Sequence, residues 1–186
     1  DFNIDNNKKN NSYKLKVISI CRFVKQKNIL EILKIAIKIP EIEFYIIGAG
    51  PLWEEINYYI DHNNIKNIYL LGEKKNIFKY LYASDIYLTT SLYEGLPISV
   101  LEAMSIGLPI VASNVIGNID TIEHEKSGFL YELNDIKMAT YFLKKFIKNT
   151  QLIKEIGTAA YLRQRKIFSK DLMISNYIEL YSNFVK

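Results

Sequence analysis

Apolar residues along this chain follow two alternating patterns. Short, nearly continuous apolar runs alternate with longer segments in which apolar positions recur with the period of a helix. The continuous runs predict buried β-strands, which we place at residues 15–20, 43–47, 68–71, 85–89, 109–112 and 128–131. The periodic segments predict helices, which we place at residues 28–39, 52–62, 77–82 and 96–106. From residue 134 the helical pattern continues to the C-terminus, with breaks near Thr150 and Ser169.

The order of these elements predicts the fold class. Strands that are apolar throughout and alternate with helices are typical of a parallel sheet whose two faces are covered by helices. We therefore predict an α/β fold with a Rossmann-like parallel sheet and a helical C-terminus. Such sheets bind ligands at the carboxyl ends of their strands, in the crevice where the strand order reverses. Every glycine-rich segment follows a predicted strand or precedes a predicted helix, so we expect the functional site along that edge.

Length and composition indicate how many domains the chain forms and in which compartment it works. The chain has 186 residues, of which 49% are hydrophobic, which is enough for one domain with a real core. Residues 1–13 are polar and rich in Asn and Lys, so we expect a disordered lead-in followed by a folded domain at residues 14–186. The single cysteine, Cys21, excludes an internal disulfide and fits the reducing cytoplasm. No apolar run is long enough to predict a membrane-spanning helix.

The charge pattern argues against nucleic acid as a partner and leaves open a contact with a membrane surface. The net charge of +4 is mild, and the Lys and Arg residues are scattered without zinc-ligand spacing or a recognition-helix pattern. We therefore do not expect nucleic-acid binding. Residues 25–38 are basic and amphipathic, which suits either a helix packed on the sheet or a weak contact with an anionic membrane surface. We favour packing on the sheet.

A Gly-Leu-Pro segment at residues 95–97 provides the first candidate ligand site. Pro97 suits the first turn of a helix, because its missing N–H group would have no partner there. Gly95 permits backbone conformations that are closed to other residues. The free amides at this helix start, together with the positive end of the helix dipole, can receive phosphate oxygens. These amides belong to Gly95, Leu96, Ile98 and Ser99.

Two carboxylates stand on either side of that segment. Glu94 precedes the predicted helix, and Glu102 lies about one and a half turns inside it. Taken alone, their spacing favours ordinary structural roles, in which Glu94 supports the helix dipole and Glu102 is a solvated helix residue. Carboxylates in these positions can also accept two hydrogen bonds from a vicinal diol, and such charge-assisted bonds are strong.

Residues 91–122, which read SLYEGLPISVLEAMSIGLPIVASNVIGNIDTI, closely resemble a pattern of the retaining glycosyltransferases of GT-B family 4. That pattern has a Ser-x-x-Glu-Gly-x-Pro segment, a Leu-Glu-Ala-Met helix, a Gly-x-Pro-Val-Val-Ala strand and a Gly-Gly-x-x-Glu turn. The resemblance covers about residues 15–185 and implies the nucleotide-sugar-binding C-terminal half of a GT-B enzyme. The N-terminal acceptor domain of such an enzyme does not fit within these 186 residues.

The resemblance implies roles for the charged residues. Glu94 would contact hydroxyls of the donor sugar, and Glu102 would bind the ribose hydroxyls. Arg22 and Lys27 match the spacing of an Arg and a Lys in the family, and they would clamp the diphosphate, Arg22 through its planar fork and Lys27 as a point charge. We assign Arg22, Lys27 and Glu94 to catalysis and Glu102 to donor binding.

Two further glycines fit the resemblance, and three positions depart from it. Gly48 lies in a Gly-x-Gly-Pro segment that lets the donor approach the backbone, and Gly72 ends a strand whose following loop reaches the nucleobase. Cys21 replaces a Gly and would crowd the approach of the phosphates. Asn28 replaces another Gly, a milder change because Asn tolerates left-handed backbone geometry. At the sugar end, Ile116 replaces one Gly of the paired-Gly turn.

The implied activity is transfer of a hexose from a nucleoside-diphosphate sugar to a glycan or lipid, in cell-surface polysaccharide or glycolipid synthesis. UDP-sugars are the commonest donors in the family. Neither a cofactor nor a metal is implied. We expect the full-length enzyme to be cytoplasmic, with room for a weak peripheral membrane contact, and this chain alone to bind donor weakly and transfer nothing. A nucleotide-sugar epimerase-like half, a binding module without catalysis and a flavodoxin-type scaffold remain the alternatives.

Overall fold

A computed structural model of the protein describes residues 14–184, so the predicted lead-in at residues 1–13 lies outside the described residues. Six parallel strands form one sheet in the order β3-β2-β1-β4-β5-β6. All six predicted strands are present, and the parallel α/β class is confirmed. The strands are β1 (Lys16–Ile20), β2 (Glu43–Ile47), β3 (Ile68–Gly72), β4 (Ile86–Thr89), β5 (Ile110–Ser113) and β6 (Gly128–Tyr131).

Helices follow the strands and then continue to the end of the described chain. They are α1 (Ile29–Lys38), α2 (Trp53–His62), α3 (Phe78–Tyr82), α4 (Ile98–Ser105), α5 (Asn118–Thr121), α6 (Ile136–Lys148), α7 (Gln151–Ile167) and α8 (Lys170–Phe184). The expected breaks near Thr150 and Ser169 separate the last three helices. The short helix α5 and a 3-10 turn at Lys25–Lys27 were not predicted, because neither is long enough to show a hydrophobic period.

Both faces of the sheet are buried. Val17 and Ile18 are neighbours on β1 and point into two different core clusters, as the alternation of side chains along a strand requires. Helices α1, α2 and α6 cover one face, and α3 and α4 cover the other. Full burial of an Ile or Leu side chain stabilises the fold by about 1.5–3 kcal/mol. Helix α1 contributes five buried apolar residues to the first cluster, so residues 25–38 pack on the sheet as favoured above.

The strand order reverses between β1 and β4. From β1 the chain builds outward through β2 to β3, and then returns to the other side of β1 as β4. The loops that follow β1 and β4 therefore leave the sheet in opposite directions and open a crevice between them. The candidate residues that follow β1, β2, β3 and β4 all belong to this edge of the sheet.

The start of α4 differs from the sequence-based prediction. We predicted a helix over residues 96–106 with Pro97 in its first turn; the helix is present, but its predicted start was wrong. Pro97 is the N-cap, with φ −77° and ψ 86°, and the helix begins at Ile98. A proline disfavours the helical region for the residue before it, which agrees with Leu96 lying outside the helix. The carbonyl of Pro97 instead accepts hydrogen bonds from the amides of Val100 and Leu101.

Candidate active site

The loops after β1 and β2 are joined by backbone hydrogen bonds. The amide of Cys21 donates to the carbonyl of Ile47 at 3.0 Å, and the amide of Phe23 donates to the carbonyl of Ala49 at 2.8 Å. Gly48 lies between these bonds with φ 137°. A Cβ atom on Gly48 would lie 1.9 Å from the carbonyl oxygen of Cys21. The backbones can approach this closely only because residue 48 has no side chain.

The loops after β1 and β4 are joined across the crevice. The carbonyl of Gln26 accepts a hydrogen bond of 2.8 Å from the amide of Leu92. The hydroxyl of Thr90, at the end of β4, donates to the carbonyls of Lys27 and Asn28, both at 3.0 Å. These bonds hold the segment that carries Lys27 against the segment that carries the first glutamate of the candidate site. Thr90 was not identified from the sequence, where a threonine after a strand carries no distinctive pattern.

Lys27 and Glu94 form an ion pair at the centre of the crevice. Lys27 Nζ lies 2.6 Å from Glu94 Oε1, and the side chains are only 17% and 9% exposed. We predicted that one would bind phosphate and the other sugar, and the structure brings them into direct contact. The pair occupies one N–H of the ammonium and one oxygen of the carboxylate. Lys27 therefore keeps donors for an anion while Glu94 keeps an acceptor for hydroxyls.

The loop after β5 closes on Glu94 from the other side. The amide of Glu94 donates to the carbonyl of Ile116 at 3.3 Å. Gly117 has φ 85°, and a Cβ there would lie 2.5 Å from the carbonyl oxygen of Gly95 and 2.8 Å from the Cβ of Glu94. Gly117 is thus the glycine that lets this loop approach. Ile116, which replaces the family's other Gly, is 75% exposed beside the carboxylate.

The N-terminus of α4 presents its backbone amides beside the ion pair. In the described part of the chain, the amides of Leu96, Ile98 and Ser99 donate no hydrogen bond, and neither does the amide of Gly95. Unpaired amides and the positive end of the helix dipole favour an anion at this position. These amides remain unpaired although the helix starts later than predicted, and the anion site itself stays a prediction.

Glu102 approaches the crevice from inside α4. Its partial burial raises the pKa of its carboxyl by desolvation. Beneath it lies the fully buried Tyr87, whose hydroxyl donates to the carbonyl of Ile20 at 3.2 Å. Burial raises the pKa of Tyr87, a hydrogen bond with the Ser99 side chain lowers it, and the charges of Cys21 and Glu102 raise it further. Glu102, Ser99 and Cys21 thus surround one buried phenol at the end of β1 and β4.

A cleft of about 610 Å³ opens beside this cluster, over the ends of β1, β2 and β3. Arg22 and Gly48 line it, and the amide of Gly48 donates to the carbonyl of Gly72 at 3.0 Å. Three charged residues after β3 also line it, namely Glu73, Lys74 and Lys75. We did not assign these side chains, although a charged run directly after a buried strand at the ligand edge is the pattern that could have indicated them.

The predicted site residues therefore fall into two adjoining groups. Arg22 and Gly48 line the cleft, whereas Lys27, Glu94 and Glu102 belong to the crevice next to it. Cys21 connects the groups, because it lines the cleft and its thiol is influenced by the charges of both Lys27 and Glu94. Burial raises the pKa of the Cys21 thiol to about 12, Lys27 lowers it, and Glu94 raises it.

Alkylation of Cys21 is expected to be slow because only the thiolate reacts. With a pKa of about 12, the thiolate fraction of Cys21 at pH 8 is on the order of a thousandfold below that of a free cysteine. The rate should rise with pH up to that pKa. Mass spectrometry of iodoacetamide adducts, with denatured protein as the control, measures this rate. Equal rates in folded and denatured protein would contradict the raised pKa of the Cys21 thiol.

The described residues contain no group of three or more His, Cys, Asp or Glu side chains placed to hold a metal ion. The absence of a metal requirement stays a prediction. Across residues 14–184 no helix has both the length and the apolar content needed to cross a membrane.

The parallel sheet, the glycine-rich strand ends and the paired charges at the switch point define one class of protein. They are features of the α/β domain that forms half of a GT-B glycosyltransferase. A family profile described as glycosyl transferases group 1 matches residues 1–163, and the chain belongs to this family.

Individual relatives show the same relationship. An Escherichia coli UDP-Gal:alpha-D-GlcNAc-diphosphoundecaprenol alpha-1,3-galactosyltransferase is 45% identical over 100 residues, which cover 53% of this chain and 26% of that enzyme. A Staphylococcus aureus poly(ribitol-phosphate) alpha-N-acetylglucosaminyltransferase is 28% identical over 170 residues, which cover 88% of this chain and 34% of the relative.

Solved structures have the same fold. A mutant of S. aureus TarM, in complex with fondaparinux, alpha-GlcNAc-glycerol and UDP, superposes with a TM-score of 0.85 at 28% identity, over 90% of this chain and 35% of that one. Anabaena Alr3699/HepE, in complex with UDP and glucose, gives a TM-score of 0.86 at 20% identity, over 91% of this chain and 48% of that one. In each of these comparisons the chain spans less than half the length of its relative.

Proposed function

We propose that this chain is the donor-binding half of a retaining glycosyltransferase. It would take a hexose from a UDP-sugar and transfer it to a glycan or lipid acceptor in the synthesis of cell-surface polysaccharide or glycolipid. The observation that carries the proposal is the Lys27–Glu94 ion pair, which lies beside the unpaired amides of α4 at the switch point of the sheet. The family assignment favours a transferase over the epimerase-like alternative.

The proposed mechanism relies on positive charge around the leaving group. The bond between the anomeric carbon and the phosphate oxygen breaks, and the departing UDP takes the electron pair. Arg22, Lys27 and the α4 amides offset the negative charge that develops on the diphosphate. The acceptor hydroxyl forms the new bond to the anomeric carbon and gives its proton to the departing phosphate. We expect no metal requirement, because the protein itself supplies these positive charges.

The two carboxylates would orient the donor. Glu94 keeps one oxygen free of its ion pair with Lys27 and can accept hydrogen bonds from sugar hydroxyls. Glu102, whose charge acts on the buried Tyr87, can accept hydrogen bonds from the two ribose hydroxyls. Because burial raises the pKa of Glu102, its charged form is less favoured than that of an exposed glutamate. Hydrogen bonds from a diol would offset part of that cost.

We propose that a second α/β domain, the acceptor half, completes the enzyme in the cytoplasm. Helix α8 has no buried residue and exposes a series of large apolar side chains, which include Met173, Tyr177, Tyr181 and Phe184. Contiguous exposed apolar surface of this kind marks a contact with another protein unit. Residues 14–186 would then act as one domain of the larger enzyme.

Calorimetric titration of the chain with UDP-, GDP- and ADP-hexoses tests the donor site. We expect the UDP-sugar to bind most tightly. Arg22→Ala should weaken its binding by about 2–3 kcal/mol because a charged hydrogen-bond donor is lost from the cleft, and Glu102→Ala should weaken it as well. Arg165→Ala is the matched control, because Arg165 lies over the ring of Tyr161 on α7, away from the cleft. Unchanged affinity in both site variants would exclude the proposed pocket.

A further inference from the structure

A buried carboxylate lies outside the site just described. Glu31 is in the first turn of α1 and is only 2% exposed. Its Oε2 accepts a hydrogen bond of 2.6 Å from the side-chain amide of Asn28. Its Oε1 faces the phenol of Tyr131 at the end of β6, although neither atom has a well-formed hydrogen bond within residues 14–184. The mechanism proposed above does not use this group.

Stability alone does not account for Glu31. Replacing a buried charged group with an apolar one of similar size is often neutral or stabilising. The neighbouring buried positions of α1, such as Ile32 and Ile35, are apolar. Burial raises the pKa of Glu31, and donors from Tyr131, the Asn134 amide and Asn28 lower it again. Within residues 14–184, the Asn28 side-chain amide is the one donor that forms a well-formed hydrogen bond with this carboxylate, so Asn28 is the group that Glu31 can hold in place.

Asn28, whose side chain Glu31 holds, directly follows Lys27 in the chain. Asn28 has a left-handed backbone, with φ 47° and ψ 45°, and it links the 3-10 turn that ends at Lys27 to the start of α1. The hydroxyl of Thr90 also holds this segment, because it donates to the carbonyls of Lys27 and Asn28. Residues 27–28 are therefore held between Thr90, which directly follows β4, and Glu31 on α1. The side chain of Lys27 extends from this segment and forms the ion pair with Glu94.

We infer that Glu31 is a positioning residue, which holds Asn28 so that the Lys27 ammonium lies at the diphosphate position next to Glu94. This inference rests on the proposed role of Lys27 in donor binding. Glu31 does not touch the donor. Its contribution is to keep a flexible lysine in one place, so that less freedom is lost when the diphosphate binds.

Three variants of the Glu31–Asn28 contact test whether Glu31 positions Lys27 or only packs in the core. Glu31→Leu removes the acceptor, and should weaken UDP binding by about three- to tenfold, the scale of one hydrogen bond, while the melting temperature stays the same or rises. Asn28→Gly keeps the left-handed backbone but removes the donor, so it should weaken UDP binding to a similar degree and lower the melting temperature. Glu31→Gln keeps an acceptor for Asn28 and should retain the affinity of the wild-type chain.

The double variant and a second measurement decide the outcome. If Glu31 and Asn28 act through one contact, Glu31→Leu with Asn28→Gly should bind UDP no more weakly than either single variant. Amide hydrogen exchange gives a readout that does not need UDP. The amides of Lys27 and Asn28 donate to the carbonyls of Val24 and Lys25, both at 3.0 Å, and should exchange faster in Glu31→Leu than in Glu31→Gln.

Each result bears on one proposal. Wild-type affinity together with wild-type exchange in Glu31→Leu overturns the inference. If the wild-type chain does not bind UDP at all, the proposed function fails, and the exchange of these two amides still decides whether Glu31 holds the segment. If Glu31→Leu does not fold, exchange in Asn28→Gly decides, because it removes the same hydrogen bond from the partly exposed side.

Discussion

Replacing Lys27 with methionine is expected to weaken UDP binding by about 2–3 kcal/mol, or roughly 30- to 150-fold. Methionine keeps most of the aliphatic stem, so the change isolates the loss of the ammonium. The loss is large because the Lys27 side chain is only 17% exposed, and water cannot readily replace it at the diphosphate. Isothermal titration calorimetry of UDP against the folded variant measures the effect.

The chain offers a matched control for this experiment. Lys126 also forms an ion pair with a glutamate, Glu123, but both side chains are well exposed, at 72% and 47%. Lys126→Met should leave the affinity for UDP unchanged, because an exposed pair on the surface contributes little and lies away from the crevice. Equal affinities of the Lys27 and Lys126 variants would show that the ion pair at the switch point does not bind the donor.

The partner of Lys27 needs a control of its own. Without the ammonium, Glu94 keeps a charge at a position that is 9% exposed, so Lys27→Met should also lower the free energy of unfolding. Adding Glu94→Gln neutralises that charge and should recover part of the stability. It should not recover the affinity for UDP. Recovery of both would mean that the loss of binding came only from destabilisation of the domain.

Gly48→Ala is expected to lower the free energy of unfolding by about 3 kcal/mol or more. The new Cβ would lie 1.9 Å from the carbonyl oxygen of Cys21, and residue 48 has φ 137°, which is unfavourable for any residue with a side chain. The clash with the Cys21 carbonyl could be removed only if the loops after β1 and β2 moved apart. The hydrogen bond from the Cys21 amide to Ile47 would then be strained or lost. Urea denaturation followed by circular dichroism measures the change.

Gly95→Ala is the control for folding. Contrary to the expectation from the sequence, the backbone of Gly95 is not in the left-handed region, and no atom lies within 4 Å of a Cβ there. The unfolding free energy should therefore stay close to that of the wild type. A similar stability of the two alanine variants would contradict the close approach of the first two loops. It would also remove the reason for a glycine at residue 48.

The strands and the main helices could be predicted from the sequence because each buried strand is apolar throughout and each long helix has an apolar period. Residues 128–131 show this most directly, since the predicted bounds are those of β6. The start of α4 could not be placed in the same way. Pro97 is compatible with both the N-cap and the first turn, and the choice depends on ψ at that residue, which the residue type does not fix.

The candidate residues were recognised from local motifs, but their relations were not. Lys27 and Glu94 are 67 positions apart, and no local pattern indicates that they form an ion pair. Nor does any local pattern show that residue 117 must be a glycine, because the clash that excludes a side chain there is with the carbonyl of Gly95 on another loop. Glu31 looks like an ordinary helix residue in the sequence. Only its burial against Asn28 and Tyr131 sets it apart.

The sequence by itself determined the class of fold, the edge of the sheet where the charged residues gather, and the family of the chain. It did so because hydrophobic period and short motifs are local properties of the chain. The tertiary structure alone decided which charges are paired, which glycines are sterically required and which side chains hold Lys27 in place. Those relations depend on the order of strands in the sheet, which brings distant loops within hydrogen-bonding distance at the switch point.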